Sequence, residues 1–249
     1  MDGPFVYVLL PLIAFAAFFL KAVSGFGPAL VVVALGSLIL PPQLVVAMSA
    51  LLDAVAGVTL FAMDPETKGR RFWIPPALAI VAGSVIGGVL LSLVDPAIFK
   101  TLLGVSILLL GLWFGLLRGR GNGEGLSGEL PARATGPDVI AAGLGGVMGG
   151  FLGISGPPIL WHFGRKLGKE PLRAILIPIF LAAAIARVGT YVGTGVINGQ
   201  VLLAFAVALP GLIAGILAGN RAFVRISEQA FGRIIGAILF LVGIRLLIP

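Results

Sequence analysis

Long apolar runs, separated by short polar or glycine- and proline-rich breaks, follow one another along the whole chain. The first covers residues 5–24, is interrupted at Ser24-Gly25-Phe26-Gly27-Pro28, resumes as an arm over 28–40 and stops at Pro41-Pro42. Longer runs follow at 43–63, 73–94 and 97–117. Residues 118–137 then shift sharply to Gly, Pro and charge, the composition of a linker. The pattern repeats after it: 138–153, a break at Ile154-Ser155-Gly156-Pro157-Pro158, a short arm over 157–164, a basic turn, and runs at 173–195, 199–219 and 228–248. Runs of about 20 apolar residues are long enough to cross a bilayer, and a helix satisfies its own backbone there. The pattern predicts an all-α polytopic membrane protein.

The two halves match. Gly27, Pro28 and Pro42 correspond to Gly156, Pro157 and Pro171 at an offset of 129; Gly83 and Gly87 correspond to Gly211 and Gly215 at 128; Phe99, Gly104 and Gly111 correspond to Phe231, Gly236 and Gly243 at 132. Glycine is abundant here, with 37 residues, so matched prolines in one register carry more weight than matched glycines. The reading is an N-terminal repeat over 1–117, a cytoplasmic linker over 118–137 and a C-terminal repeat over 138–249. Each repeat is a broken-helix, re-entrant-like hairpin followed by three transmembrane helices.

Charge sets the orientation. Lys68, Arg70 and Arg71, then Arg118, Arg120 and Arg133, then Arg165, Lys166, Lys169 and Arg173, and finally Arg221 and Arg225 gather in short connections or their flanks. Such basic loops mark the cytoplasmic face. Placing them inside puts both termini outside and runs matching helices in opposite directions, which makes the repeats inverted. The net charge of +7 therefore reports topology and attraction to anionic lipid, not nucleic acid. The hydrophobic share of 59% and charged share of 11% exclude a soluble domain. The chain has no cysteine and one histidine, and no phosphate-binding loop, zinc-protease motif or catalytic triad is legible. An enzyme, a metal site and a bound cofactor are not expected. A monomer and a homodimer both stand open.

The breaks carry the candidate chemistry. Glycine frees the backbone to turn, and proline at a helix start lacks only an N–H that would be unpaired anyway. A helix start presents unpaired N–H donors and about half a positive charge, which suits an anion. Arms of 13 and 8 residues rise only about 20 and 12 Å against about 30 Å of hydrocarbon. Hairpins entering from opposite faces would bring the two openings, Ser24 to Pro28 and Ile154 to Pro157, together near the midplane. Charges within spans are costly and usually functional. Lys21 precedes the first break, Arg187 lies inside 173–195, and Asp53 lies midway along 43–63. Two readings of these are open: Lys21 and Arg187 as fixed cations for an anionic substrate with Asp53 as proton carrier or counter-charge, or an Asp53–Arg187 structural ion pair with Lys21 snorkelling. His162 is either a proton-coupling residue, since imidazole ordinarily titrates near neutral pH, or an interfacial histidine beside Trp161. Gly83, Gly87, Gly88, Gly211, Gly215 and Gly219 supply small faces for close helix packing.

Ser24-Gly25-Phe26-Gly27-Pro28, and Gly145 to Pro157 in the second half, resemble the TauE/SafE family of sulfite exporters and toluene-sulfonate uptake permeases. The likeness spans nearly the whole chain, although the family's first-half motif is richer in glycine where this chain has Pro28-Ala29. The resemblance implies transport of sulfite, sulfoacetate, another organosulfonate or a related oxyanion across the bacterial inner membrane. It leaves direction open between export and uptake coupled to protons or Na+. An anion channel is the rival reading.

Overall fold

The computed structural model describes residues 4–24, 28–63, 72–117, 133–221 and 228–248. Its helices follow the apolar runs: α1 (Pro4–Ser24), α2 (Ala29–Gly36), α3 (Pro42–Met63), α4 (Ile74–Leu93), α5 (Pro96–Leu112), α6 (Gly136–Leu152), α7 (Gly156–Phe163), α8 (Lys169–Gly193), α9 (Gly199–Arg221) and α10 (Glu228–Leu247). A π-helical turn, Trp113–Leu117, continues α5. Six helices (α1, α3, α4, α5, α8 and α9) are long and apolar enough to cross a membrane. Many of their large apolar side chains face outward, as with Leu12, Val58, Leu78, Leu109, Val192 and Leu217. Hydrocarbon tolerates such an exterior, whereas water does not.

One expected arm is shorter than its apolar run. Residues 28–40 read as one arm, yet α2 ends at Gly36, and residues 37–40 fold into turns held by bonds from Leu38 N–H to the Leu35 carbonyl and from Ile39 and Leu40 N–H to the Gly36 carbonyl. Pro41 follows, and the residue ahead of a proline is disfavoured in the helical region. With α7, both second arms are eight residues long, a rise of about 12 Å.

The chain divides into two compact units. The first comprises residues 1–46, 94–122 and 199–249, the second 47–93 and 123–198. In the first, α1 lies along α9 and α5 along α10. Gly211 and Gly215 press on the carbonyls of Pro11 and Phe15, and Gly219 meets Phe19 and Ala22. Gly111 meets Phe240, and Gly236 meets Gly115. In the second unit, α4 lies along α6 and also packs on α8. Here the glycines face each other's backbone: Gly83 and Gly87 meet the carbonyls of Gly143 and Val147, while Gly146 and Gly150 meet those of Ile80 and Ser84. These are contacts that any Cβ would obstruct. Each unit draws helices from both halves of the sequence.

Candidate functional site

The second break is fully described. α6 ends as Gly153 turns into the left-handed region at φ 78°, where a side chain would be strained. Its N–H donates to the Gly149 carbonyl at 2.9 Å. Ile154 and Ser155 bridge to α7, and both are buried. The Ser155 hydroxyl makes no capping bond to α7; it lies over Gly149, where a Cβ would collide with it. Pro157 and Pro158 carry no N–H, so the donors at the start of α7 reduce to the N–H groups of Ser155 and Gly156. At the first break, Gly25, Phe26 and Gly27 lie outside the described residues, as does the Ser24 side chain. Pro28 caps α2, and its carbonyl accepts from the N–H groups of Val31 and Val32 at 3.0 Å each. That leaves the N–H groups of Ala29 and Leu30 without an acceptor inside the helix. Lys21 holds its ammonium 5.6 Å from the Phe18 ring centroid.

Arg187 on α8 is held against the second break. It is 3% exposed, and its Nη2 donates to Asp53 Oδ2 at 2.7 Å. Nη1 donates to the Gly153 carbonyl at 3.3 Å. Nε, buried, has no partner among the described residues. One turn later the fully buried Tyr191 donates its hydroxyl to the Gly150 carbonyl at 2.6 Å. The last carbonyls of a helix lack intrahelical donors and carry partial negative charge, so α8 grips α6 by the end that needs donors. Asp53 keeps the buried guanidinium neutralised, without which it would be strongly unfavourable in a low dielectric. The sequence reading singled out Asp53 and Arg187 by their charge inside apolar runs. It missed Tyr191, whose only sequence signal is the four-residue spacing that puts it on the same helix face as Arg187.

A second polar cluster lies at the base of this hairpin. Asp138, in the first turn of α6, is 2% exposed. Its Oδ2 accepts from the Thr135 N–H and hydroxyl at 2.7 Å each. Its Oδ1 lies 2.6 Å from His162 Nε2 and 3.2 Å from Lys166 Nζ, and Lys166 Nζ is 3.0 Å from His162 Nε2. Burial pushes the Asp138 carboxyl up, but the Thr135 N–H, the Thr135 hydroxyl, His162 and Lys166 outweigh it and hold the pKa at about 2. His162, for which the sequence leaves both proton coupling and an interfacial place beside Trp161 open, is joined to Asp138, while Trp161 stacks under Arg165, whose guanidinium carbon is 4.8 Å from the ring centroid. Asp138 was not singled out. Its signal was present in Thr135-Gly136-Pro137-Asp138, a capping box ahead of an apolar run.

Arg187 and Asp53 thus meet in the second unit, beside Gly153, the residue immediately ahead of the 154–158 break. His162 belongs to the separate cluster at the hairpin base. Among the described residues no His, Asp or Glu grouping could hold a metal ion.

The family described as Sulfite exporter TauE/SafE matches residues 10–246. A relative from Cupriavidus necator, named a probable sulfite/organosulfonate exporter TauE, is 24% identical over an alignment 254 positions long, covering 97% of this chain and 96% of the relative. No solved structure gives a significant match. A helical chain with glycine-packed spans, matched from residue 10 to residue 246, belongs to the sulfite exporter TauE/SafE family, a family of membrane transporters and not of enzymes.

Proposed function

We propose that this chain is a secondary transporter that exports a small sulfur-containing oxyanion, sulfite, sulfoacetate or another organosulfonate, across the bacterial cytoplasmic membrane. The observation that carries the reading is Arg187: a cation buried in an apolar span, set against a helix break, with one N–H that no described group accepts. A guanidinium matches the oxygen spacing of a sulfonate or sulfite better than a point charge does. The N–H groups of Ser155 and Gly156 and the Ser155 hydroxyl add donors of the kind an oxyanion takes. The substrate class follows the name of the Cupriavidus necator relative.

Residues 24–28 supply the matching opening in this proposal, on the strength of the repeat. The inverted repeat itself gains support from the two glycine seams. α4 of the first half lies along α6 of the second, and α9 of the second half lies along α1 of the first. If α1 corresponds to α6 and α4 to α9, these are one seam used twice, built on the matched pairs Gly83/Gly211 and Gly87/Gly215. Alternating access is then the exchange between two equivalent, oppositely facing arrangements. With the basic connections and the linker in the cytoplasm and the termini outside, an inside-negative potential favours anion exit by about 2.3 kcal/mol per charge per 100 mV.

Thermal unfolding of the purified protein against sulfite, sulfoacetate, taurine, sulfate and aromatic sulfonates tests the reading. Stabilisation by a subset of these anions is expected, lost in Arg187→Ala and weakened in Arg187→Lys. Equal stabilisation of wild type and both variants would remove Arg187 from the site. Exchange of labelled for unlabelled sulfite in proteoliposomes is expected for a transporter; steady conductance without exchange would replace it by a channel.

A further inference from the structure

We propose that Asp138, His162 and Lys166 form a proton-operated clasp across the base of the second hairpin, in which a proton taken up by His162 releases Lys166. The argument begins with hydrogens. Nitrogen and a carboxylate oxygen at 2.6 Å need a hydrogen between them, so His162 Nε2 carries one and points it at Asp138 Oδ1. That nitrogen then has no lone pair for the ammonium 3.0 Å away, and Lys166 has only Oδ1, at 3.2 Å. Thr135 already occupies Oδ2 with two bonds. Imidazole and ammonium therefore share one carboxylate oxygen, and with the imidazole neutral the cluster holds one negative and one positive charge.

A proton added at His162 Nδ1 changes that balance. Two cations then face each other at hydrogen-bond distance with one carboxylate between them. The imidazolium keeps the shorter, now charge-assisted bond. Asp138 and His162 are 2% and 13% exposed, whereas Lys166 is 47% exposed on a flexible four-carbon stem. Lys166 is the member that moves out to water. The groups that act on the Asp138 carboxylate are Thr135, His162 and Lys166; Phe163 packs edge-on against the imidazole, and Arg165 is turned onto Trp161.

Lys166 sits in the turn that joins α7 to α8, the helix that carries Arg187 and Tyr191 to the break. Its release removes the side-chain tie from that turn to α6, leaving the Lys166 and Leu167 N–H bonds to the Phe163 carbonyl and the buried Leu167 side chain to hold it more loosely. Resting on the transport reading above, the clasp makes movement of the second hairpin depend on pH at the basic face of the protein.

The chain has no cysteine, so a nitroxide on Arg165→Cys reports this turn alone in the purified full-length protein. Spectra are taken at about pH 8 and about pH 5.5. A more mobile label at the lower pH is expected. In the His162→Gln background, which keeps a neutral N–H toward Asp138, the label is expected to hold its pH 8 mobility at both values; in Lys166→Met it is expected to be mobile at both. A pH response that survives His162→Gln, or none in the parent, overturns the clasp. Sulfite flux in proteoliposomes reads the regulation: its pH profile is expected to flatten in His162→Gln, and superimposable profiles overturn that part. Absence of sulfite binding at every pH would defeat the substrate reading and leave the label experiment standing.

Discussion

Replacing Asp53 by Asn removes one charge and keeps the shape and one acceptor oxygen. Arg187, 3% exposed, cannot shed its proton, so the whole consequence falls on the folded state. Charge centres about 4 Å apart interact by about 4 kcal/mol at an effective dielectric of 20, and removing one partner of a buried pair generally costs about 3–5 kcal/mol. The Gly153 carbonyl, at 3.3 Å, is too weak an acceptor to take the carboxylate's place. We expect Asp53→Asn to lose about 3–5 kcal/mol of stability. The assay is equilibrium unfolding in mixed detergent micelles followed by circular dichroism, run on Asp53→Asn, Arg187→Gln and the double variant. The double variant should cost less than the sum of the singles, with a coupling of at least about 2 kcal/mol. Asp53→Asn within about 0.5 kcal/mol of the parent, together with additive singles, would refute the reasoning and return Asp53 to a purely functional role.

Other substitutions probe the rest of the second unit. Gly87→Ala should lose at least about 1–3 kcal/mol in the same unfolding assay, because its Cβ would press on the Val147 carbonyl and stand 2.7 Å from the Phe151 nitrogen. Gly189→Ala, with open space around its Cβ position in α8, should instead be neutral or gain up to about 1 kcal/mol. Tyr191→Phe deprives the buried Gly150 carbonyl of its donor and should cost about 1–3 kcal/mol. Thr135→Ala removes one side of the capping box, at about 1 kcal/mol. Asp138, held at about pKa 2, stabilises the fold above the ordinary carboxylate range; that contribution should fade only as pH drops from about 4 through its folded value, and Asp138→Asn should abolish this acid dependence in unfolding curves.

Charge and punctuation made parts of the site legible in advance. Asp53 and Arg187 stand out because an ionised side chain in an apolar run needs a reason, and each is the natural partner of the other. The 154–158 break stands out because glycine and proline interrupt the helix there. Tyr191 and Asp138 did not stand out, for a different reason in each case. A tyrosine near a helix end is ordinary, and its role depends on which carbonyl lies opposite. Asp138 carried a capping signature, but a cap predicts a helix start, not the histidine and lysine that arrive from 24 and 28 residues later.

Hydrophobic periodicity and run length determined by themselves that this is a helical membrane protein, where nearly every helix begins and ends, and where the two breaks fall. Those properties are local: they depend on transfer of a stretch of chain into hydrocarbon and on backbone geometry at glycine and proline. Only the tertiary structure decided which helix lies against which. Gly83 and Gly87 show that α4 can be approached closely, and nothing in their spacing says that α6 does so. The same is true of the orientation of Arg187 toward Gly153 and of the joining of Asp138 to His162, because such pairings depend on packing between segments far apart in the chain.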